Sequence, residues 1–228
     1  MTINHLVNKK IQSSQIKKSY VYLQCNTNTL HAMHFEPGIV YHIYNQGNNR
    51  QKLFFNRDNY LFFIQKIRTY ITPHADVLAW CLMPNHFHLM VLAKETATTR
   101  SATLSRAPSI GLNKAIGIVL ASYTRAINNQ ENTTGSMFRS KTKALPLNQI
   151  HGITPAYFNT QFGTKINATT PQEEYINICF NYIHNNPVKV QLVRHATDWE
   201  FSSAQDYAGL RNGTLIQKQK AREVGLVW

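Results

Sequence analysis

Two apolar segments joined by a two-residue turn constrain the fold of this chain more than any other feature. VLAWCLM at 77–83 and HFHLMVLA at 86–93 each have the length and side-chain types of a strand. Pro84-Asn85 between them is a turn signal. The region 77–93 therefore predicts a β-hairpin, and a hairpin this apolar needs further strands and helices to cover it.

The preceding and following segments predict the remaining parts of a sheet. IVYHIYN at 39–45 has the β-branched and aromatic residues of a strand, and QGNN after it is a turn signal. Helical spacing predicts a helix from Asn56 or Asp58 to about Tyr70, ended by Thr72-Pro73. A second helix is predicted from about Ile110 to Asn129, and a fourth strand within FRSKTKALPL at 138–147.

The start of the last long helix is marked by a capping pattern. Thr170 is a candidate N-cap, Pro171 suits the first helical position, and Glu173 follows three residues after the cap. The helix is expected to end near Pro187. The order strand, helix, hairpin, helix, strand predicts an α+β fold with a ferredoxin-like split βαβ core, a central antiparallel sheet and helices packed on it.

Composition divides the chain into three parts. Residues 1–36 are polar and basic and predict a flexible N-terminal arm, 37–210 form the predicted domain, and 211–228 a C-terminal tail. Within the domain, 94–109 has the composition of a linker, and 148–168 is expected to be mostly loop.

The net charge favours an anionic partner. The 228 residues include 24 Lys and Arg against 11 Asp and Glu, a formal charge of +13. An excess of this size is typical of nucleic-acid-binding proteins, although a generally basic protein is the alternative. No apolar segment has membrane-spanning length and no secretory signal is present, so we expect a cytoplasmic protein with no membrane partner. The cysteines Cys25, Cys81 and Cys179 have neither disulfide nor zinc-finger spacing.

His86 and His88 flank Phe87 in the third predicted strand. Alternate side chains of a strand point to the same face, so the two imidazoles stand side by side, about 7 Å apart at their bases. Two imidazoles on one face can bind one metal ion. The alternative is a surface strand whose two histidines do not form a common binding site.

Tyr182 and Asn186 lie one turn apart on the last predicted helix. A phenol beside an amide on one helix face could be a nucleophile beside a metal ligand. The alternative is a core tyrosine on the apolar stripe that Tyr175 and Cys179 begin. Tyr123, near the middle of its helix, has the spacing of a packed residue.

A set of cations interleaved with aromatic residues predicts a surface for single-stranded nucleic acid. The alternative is a solvated basic face. The candidate DNA-binding residues are Arg125, Arg139, Lys141 and Lys143, near Tyr123 and Phe138. The sequence contains no glycine-rich phosphate loop, no GxSxG and no HExxH, and its few carboxylates disfavour a two-metal carboxylate nuclease.

Together, four segments resemble the bacterial HUH-type single-tyrosine transposases, and within them the REP-associated tyrosine transposase branch. The resemblance covers about residues 35–210, and MPNHFHL and YIHNNPVK are its specific parts. The segments are YHIYNQGNNRQKLF at 41–54, AWCLMPNHFHLMV at 79–91, GSMFRSKTKA at 135–144 and YIHNNPVKVQLV at 182–193.

The resemblance implies a site and a chemistry. His86 and His88 match the paired metal-binding histidines, Tyr182 the nucleophile and Asn186 the third metal ligand, with His184 and Asn185 as less favoured alternatives to Asn186. The implied reaction is cleavage and joining of single-stranded or hairpin DNA through a 5′-phosphotyrosine, with Mg²⁺ or Mn²⁺ bound. Relatives include both monomers and dimers, so a homodimer is possible, and a bacterial, nucleoid-associated protein is implied.

The N-terminal segment and the chemistry leave alternatives open. Residues 1–32 have no counterpart in the resemblance, and Met33 stands where such a core could start, so the segment is either a DNA-binding arm or a misassigned start. A domesticated relative that binds hairpin DNA without cutting, and a metal-dependent nuclease without a covalent intermediate, are the two competing functions.

Overall fold

A four-stranded antiparallel sheet with helices on both faces forms the centre of the protein. The computed structural model describes residues 34–95, 111–148, 157–160, 163–166 and 171–228. The strands are β1 Val40–Gln46, β2 Ala75–Met83, β3 His86–Ala93, β4 Lys143–Pro146, β5 Tyr157–Thr160 and β6 Gly163–Ile166. The helices are α1 Arg57–Tyr70, α2 Leu112–Glu131, α3 Pro171–Lys189, α4 Ala204–Tyr207 and α5 Lys218–Glu223, with 3-10 turns at Asn48–Arg50 and Ala196–Asp198.

The strand order β2-β3-β1-β4 confirms the predicted ferredoxin-like core. β3 lies between β1 and β2 and is antiparallel to both. β1, α1 and β2 therefore form a βαβ unit whose two strands are separated by β3. β4 pairs with the other edge of β1. The hairpin forms because β2 and β3 are both apolar and Pro84-Asn85 closes them with a two-residue turn.

Helices α1 and α2 pack together on one face of the sheet. α1 is capped by Asn56, whose side chain accepts a hydrogen bond from the Asn59 backbone in a reciprocal capping box. Aromatic rings in mutual contact fill the space between these helices and the sheet. β3 contributes Phe87, which points to this face of the sheet, whereas its histidines point to the other. The rings that meet here are Phe54, Phe63, Phe87, Tyr123 and Phe138.

Helix α3 packs against β2 and β3 on the other face. It continues two residues beyond its predicted end, since Pro187 in the last turn removes only its own N–H from the helix ladder. The predicted fourth strand is shorter than expected: Lys143–Pro146 pairs with β1, whereas Phe138 makes only an isolated bridge to Gly47.

The region predicted as mostly loop contains a short hairpin, β5 paired with β6. Predictions for residues 1–33, for most of the 94–109 linker and for the Thr170 cap lie outside the described residues.

The C-terminal segment covers the outer edge of β2. Ser202 bridges to Cys81, and Ile216 bridges to Val77, so the backbone groups of this edge are partly paired. Part of the segment predicted as a tail, including Leu215, Ile216 and Leu226, is buried. Within the part of the chain that the structure describes, no helix has the length and apolar character to cross a bilayer.

Candidate functional site

The histidine-bearing face of the hairpin lies directly beneath helix α3. The strand alternation puts His86 and His88 on the same face of β3, with ring centroids 5.0 Å apart. Tyr182 of α3 stands over them, its ring centroid 5.3 Å from that of His88. His88 is only 4% exposed, whereas Tyr182 is 37% exposed and so borders solvent.

Asn186 connects these three side chains. It lies one helical turn after Tyr182, and its side-chain nitrogen is 3.0 Å from His88 Nε2. The same amide acts on the other two side chains, since it acts to raise the pKa of His86 and to lower that of Tyr182. The i, i+4 spacing on α3 thus sets the phenol and the amide together above the histidine pair.

A third histidine lies behind His88 in the sheet. His42 on β1 is 7% exposed, and its Nε2 is 2.9 Å from His88 Nδ1. Tyr44, two residues later on the same face, stacks on His42 at 4.8 Å between ring centroids. His86 has a comparable contact, because its Nδ1 lies 2.7 Å from Asn85 Oδ1.

Burial keeps the imidazoles of the site neutral. Loss of water lowers the pKa of His86, and it lowers the pKa of His88 further, with the nearby His42, His86 and Lys189 adding to the effect. The pKa of His42 falls to about 4 for the same reason. Neutral imidazoles have a lone pair available for a cation at physiological pH.

The Tyr182 hydroxyl is not activated by its protein surroundings alone. Burial raises its pKa above the ordinary value of 10.0, and the hydrogen bond to Asn186 only partly opposes this. Lys189, seven residues after Tyr182, lies with its Nζ 4.4 Å from the centroid of the Tyr182 ring. Partial burial lowers the Lys189 pKa, and a nearby cation favours the phenolate form of tyrosine.

A cleft of about 270 Å³ opens above Tyr182 and the histidine pair. Among the described residues that line it, three carry a positive charge and none a negative one. The charged residues are Arg139, Lys141 and Lys143, which belong to β4 and the segment before it. Arg125 is exposed on α2, which packs on the opposite face of the sheet, and it does not line this cleft.

The residues that the sequence offered as alternatives to Asn186 and Tyr182 do not contact the histidine pair. His184 is 6% exposed and its Nε2 is 2.7 Å from Ser203 Oγ, away from the histidine pair. Asn185 is exposed and its side chain donates to the Asn181 backbone. Tyr123 is fully buried and donates its hydroxyl hydrogen to the Leu53 carbonyl at 2.8 Å, as the packing interpretation predicts.

The donor set fits a divalent cation. Two neutral imidazoles on one strand face meet an amide whose nitrogen faces His88 Nε2 in this structure. A half-turn of the amide would bring its oxygen, a hard ligand, toward a cation, and the neighbouring cleft has room for water and phosphate oxygens to complete the coordination. No group of three His, Cys, Asp or Glu side chains suited to a metal occurs among the described residues. A cation held here would therefore keep most of its charge, which suits an anionic phosphate.

Sequence reasoning missed His42, Tyr44 and Lys189. The strand pattern of IVYHIYN put His42 and Tyr44 on one face, but pairing with His88 depends on the register between β1 and β3, which no local pattern gives. Lys189 has the i+7 spacing from Tyr182, and the predicted helix end at Pro187 excluded it from that face.

No protein-family model matches the chain, and no curated protein does. A solved structure of a REP-associated tyrosine transposase bound to a REP hairpin is similar in fold. The match has a TM-score of 0.51 and 15% sequence identity, and it covers 79% of this chain and 86% of that chain. At this identity the likeness shows a shared fold, the fold of a tyrosine transposase.

Proposed function

We propose that this protein is an HUH-type tyrosine transposase that cuts and rejoins single-stranded or hairpin DNA. Its nucleophile is Tyr182, and His86, His88 and Asn186 hold Mg²⁺ or Mn²⁺. The observation that carries the proposal is the meeting of Tyr182, Asn186 and the histidine pair beside a cleft that Tyr182, both histidines and three cations line. The hairpin DNA of the structurally similar transposase agrees with the choice of substrate.

The cations at the cleft bind and orient the strand. Arg139, Lys141 and Lys143 line the same cleft as the histidines, where they can contact backbone phosphates. Tyr44 lies in the same lining and offers an aromatic face for an unpaired base. These contacts bring one phosphate to Tyr182 in an orientation suited to attack.

The covalent step forms one bond and breaks one. The Tyr182 oxygen attacks phosphorus as its proton leaves to solvent, the bond to the 3′-oxygen breaks, and that oxygen takes up a proton. The products are a 5′-phosphotyrosine and a free 3′-hydroxyl, and attack by a 3′-hydroxyl reverses the step and joins DNA. A divalent cation, when bound, supplies Lewis-acid polarisation of the scissile phosphate.

Lys189 and Asn186 both assist the phenol. The Lys189 charge beside the ring stabilises developing phenolate, and the Asn186 amide lowers the pKa of the hydroxyl. Both effects counter the burial that raises the Tyr182 pKa.

The test is formation of a DNA–protein adduct that survives SDS. Hairpin oligonucleotides with a labelled single-stranded flank are incubated with the protein in Mg²⁺, Mn²⁺ or EDTA. The proposal predicts an adduct with either metal and none in EDTA. His86→Ala and His88→Ala should lose the adduct but keep salt-sensitive DNA binding, since the basic surface supplies most of the nonspecific affinity.

Two outcomes would contradict parts of the proposal. Wild-type cleavage by the His86→Ala, His88→Ala double variant would refute the metal site. Tight hairpin binding without any adduct would instead identify a binding protein, and cleavage without an adduct would identify a nuclease that has no covalent intermediate.

A further inference from the structure

Each candidate metal-binding histidine has its second ring nitrogen engaged by another side chain. His86 Nδ1 contacts Asn85 Oδ1 at 2.7 Å, and His88 Nδ1 contacts His42 Nε2 at 2.9 Å. The two partners come from different places, the hairpin turn and the neighbouring strand β1. Histidines that bind metals in proteins commonly donate their other N–H to such a partner, which fixes the ring's orientation and tautomer.

The contacts of His88 and its proposed role as a ligand agree on one position for the proton in the His42–His88 hydrogen bond. The Asn186 side-chain nitrogen lies 3.0 Å from His88 Nε2, and an amide NH₂ can only donate. With the amide in this orientation His88 Nε2 is the acceptor, and a neutral His88 then carries its proton on Nδ1. That proton is donated to His42 Nε2. Coordination of a cation through His88 Nε2 requires this same tautomer.

The register of the sheet explains why His42 can reach His88. Tyr44 on β1 is paired with His88 on β3, and His42 is paired with Met90, so His42 and His88 are diagonal neighbours on one face. Their ring centroids are 5.0 Å apart and the rings are inclined by 27°. The stacked Tyr44 ring limits the ways in which His42 can turn.

We propose that His42 is a positioning residue that holds His88 in the Nδ1–H tautomer and in the orientation that presents Nε2 to the cation. The role rests on the proposed function, because it acts through a metal ligand. His42 itself is too deeply buried behind His88 to contact the DNA or the phosphate.

Two substitutions separate this role from simple packing. His42→Phe keeps an aromatic ring against Tyr44 but has no acceptor for the His88 proton. His42→Gln lacks the ring but carries an amide oxygen that can reach the position of Nε2. A packing role predicts that Phe is tolerated and Gln is not, whereas the positioning role predicts the reverse.

The measurement is Mn²⁺ affinity of the full chain by electron paramagnetic resonance, without DNA. We expect binding weaker by about 10–100-fold in His42→Phe and within about threefold of wild type in His42→Gln. His184→Gln is the matched control, because it changes a buried histidine that lies away from the site. Its Mn²⁺ affinity should equal that of wild type.

Nitrogen NMR of the metal-free, ¹⁵N-histidine-labelled wild-type protein gives a second, independent readout that requires no variant. It should show His88 protonated at Nδ1 and a scalar coupling across the hydrogen bond to His42 Nε2. A proton on His88 Nε2 instead, or undiminished Mn²⁺ binding by His42→Phe, would overturn the role of His42 alone. Failure of the wild-type protein to bind Mn²⁺ would overturn the metal site and, with it, this inference.

Discussion

Replacement of Lys189 by methionine removes a positive charge from beside the proposed nucleophile while keeping the length of the side chain. Lys189 Nζ is 4.4 Å from the Tyr182 ring centroid. The charge is thus about 5 Å from a phenolate oxygen, where a pair of unit charges interacts by about 3 kcal/mol at an effective dielectric of 20 and about 0.8 kcal/mol in water. Tyr182 is 37% exposed and Lys189 is exposed, so solvent screening reduces the interaction to about 1–2 kcal/mol.

The expected consequence is a slower covalent step. A loss of about 1–2 kcal/mol of transition-state stabilisation corresponds to a rate reduced about 5–30-fold. Single-turnover adduct formation, followed at saturating hairpin oligonucleotide, measures this rate without a contribution from weaker DNA binding. Lys189→Arg retains the charge and should keep most of the rate.

Lys66 offers a matched control on the other side of the sheet. Its Nζ lies 4.8 Å from the Phe62 ring centroid on α1, a similar lysine–aromatic contact far from the cleft. Lys66→Met should form the adduct at the wild-type rate. An undiminished rate in Lys189→Met, or an equal loss in Lys189→Arg, would refute the electrostatic reasoning.

Two further predictions concern stability and DNA affinity. Burial lowers the pKa of His184 from 6.5 to about 4. The unfolded chain therefore takes up this proton first as the pH falls. Between pH 6.5 and 4 the free energy of unfolding should decrease by about 3 kcal/mol because of this residue. Urea unfolding in EDTA at pH 7 and pH 4.5 should show that His184→Gln loses less unfolding free energy on acidification than the wild type does. An equal loss in the two proteins would contradict the role given to His184. Arg139→Gln and Lys141→Gln, which change the cleft lining, should each reduce the slope of log K against log salt for a single strand by about 0.7. Lys66→Gln should leave that slope unchanged, and cleft variants with the wild-type slope would place the DNA elsewhere.

The arrangement of strands and helices was predictable because the signals are local. The apolar segments at 77–83 and 86–93 form a hairpin wherever a two-residue turn joins them, and the spacing of strands and helices around them leaves few topologies. The same alternation that put His86 and His88 on one face also put Phe87 into the core. The Tyr182–Asn186 pair follows in the same way from helical spacing.

The parts that escaped prediction depend on long-range geometry. His42 meets His88 only through the register of β1 against β3, across 46 positions of sequence. Arg125 was grouped with the cleft cations by charge, but α2 packs on the opposite face from α3, which sequence spacing alone does not reveal. Lys189 was not considered, because the helix was predicted to end near Pro187, two residues before its observed end.

Mapping the covalent attachment site tests the central claim most directly. The protein is incubated with a 3′-labelled hairpin substrate and Mn²⁺, the adduct is isolated in SDS, and the modified peptide is identified by mass spectrometry. The account predicts a DNA remnant on Tyr182 and no adduct in Tyr182→Phe. The adduct should carry the 3′ label, because a 5′-phosphotyrosine joins the protein to the strand on the 3′ side of the cut. That variant should lose no more than about 1.5 kcal/mol of stability, since it gives up one hydrogen bond. An adduct on Tyr44 or Tyr123, or an undiminished adduct in Tyr182→Phe, would contradict the account.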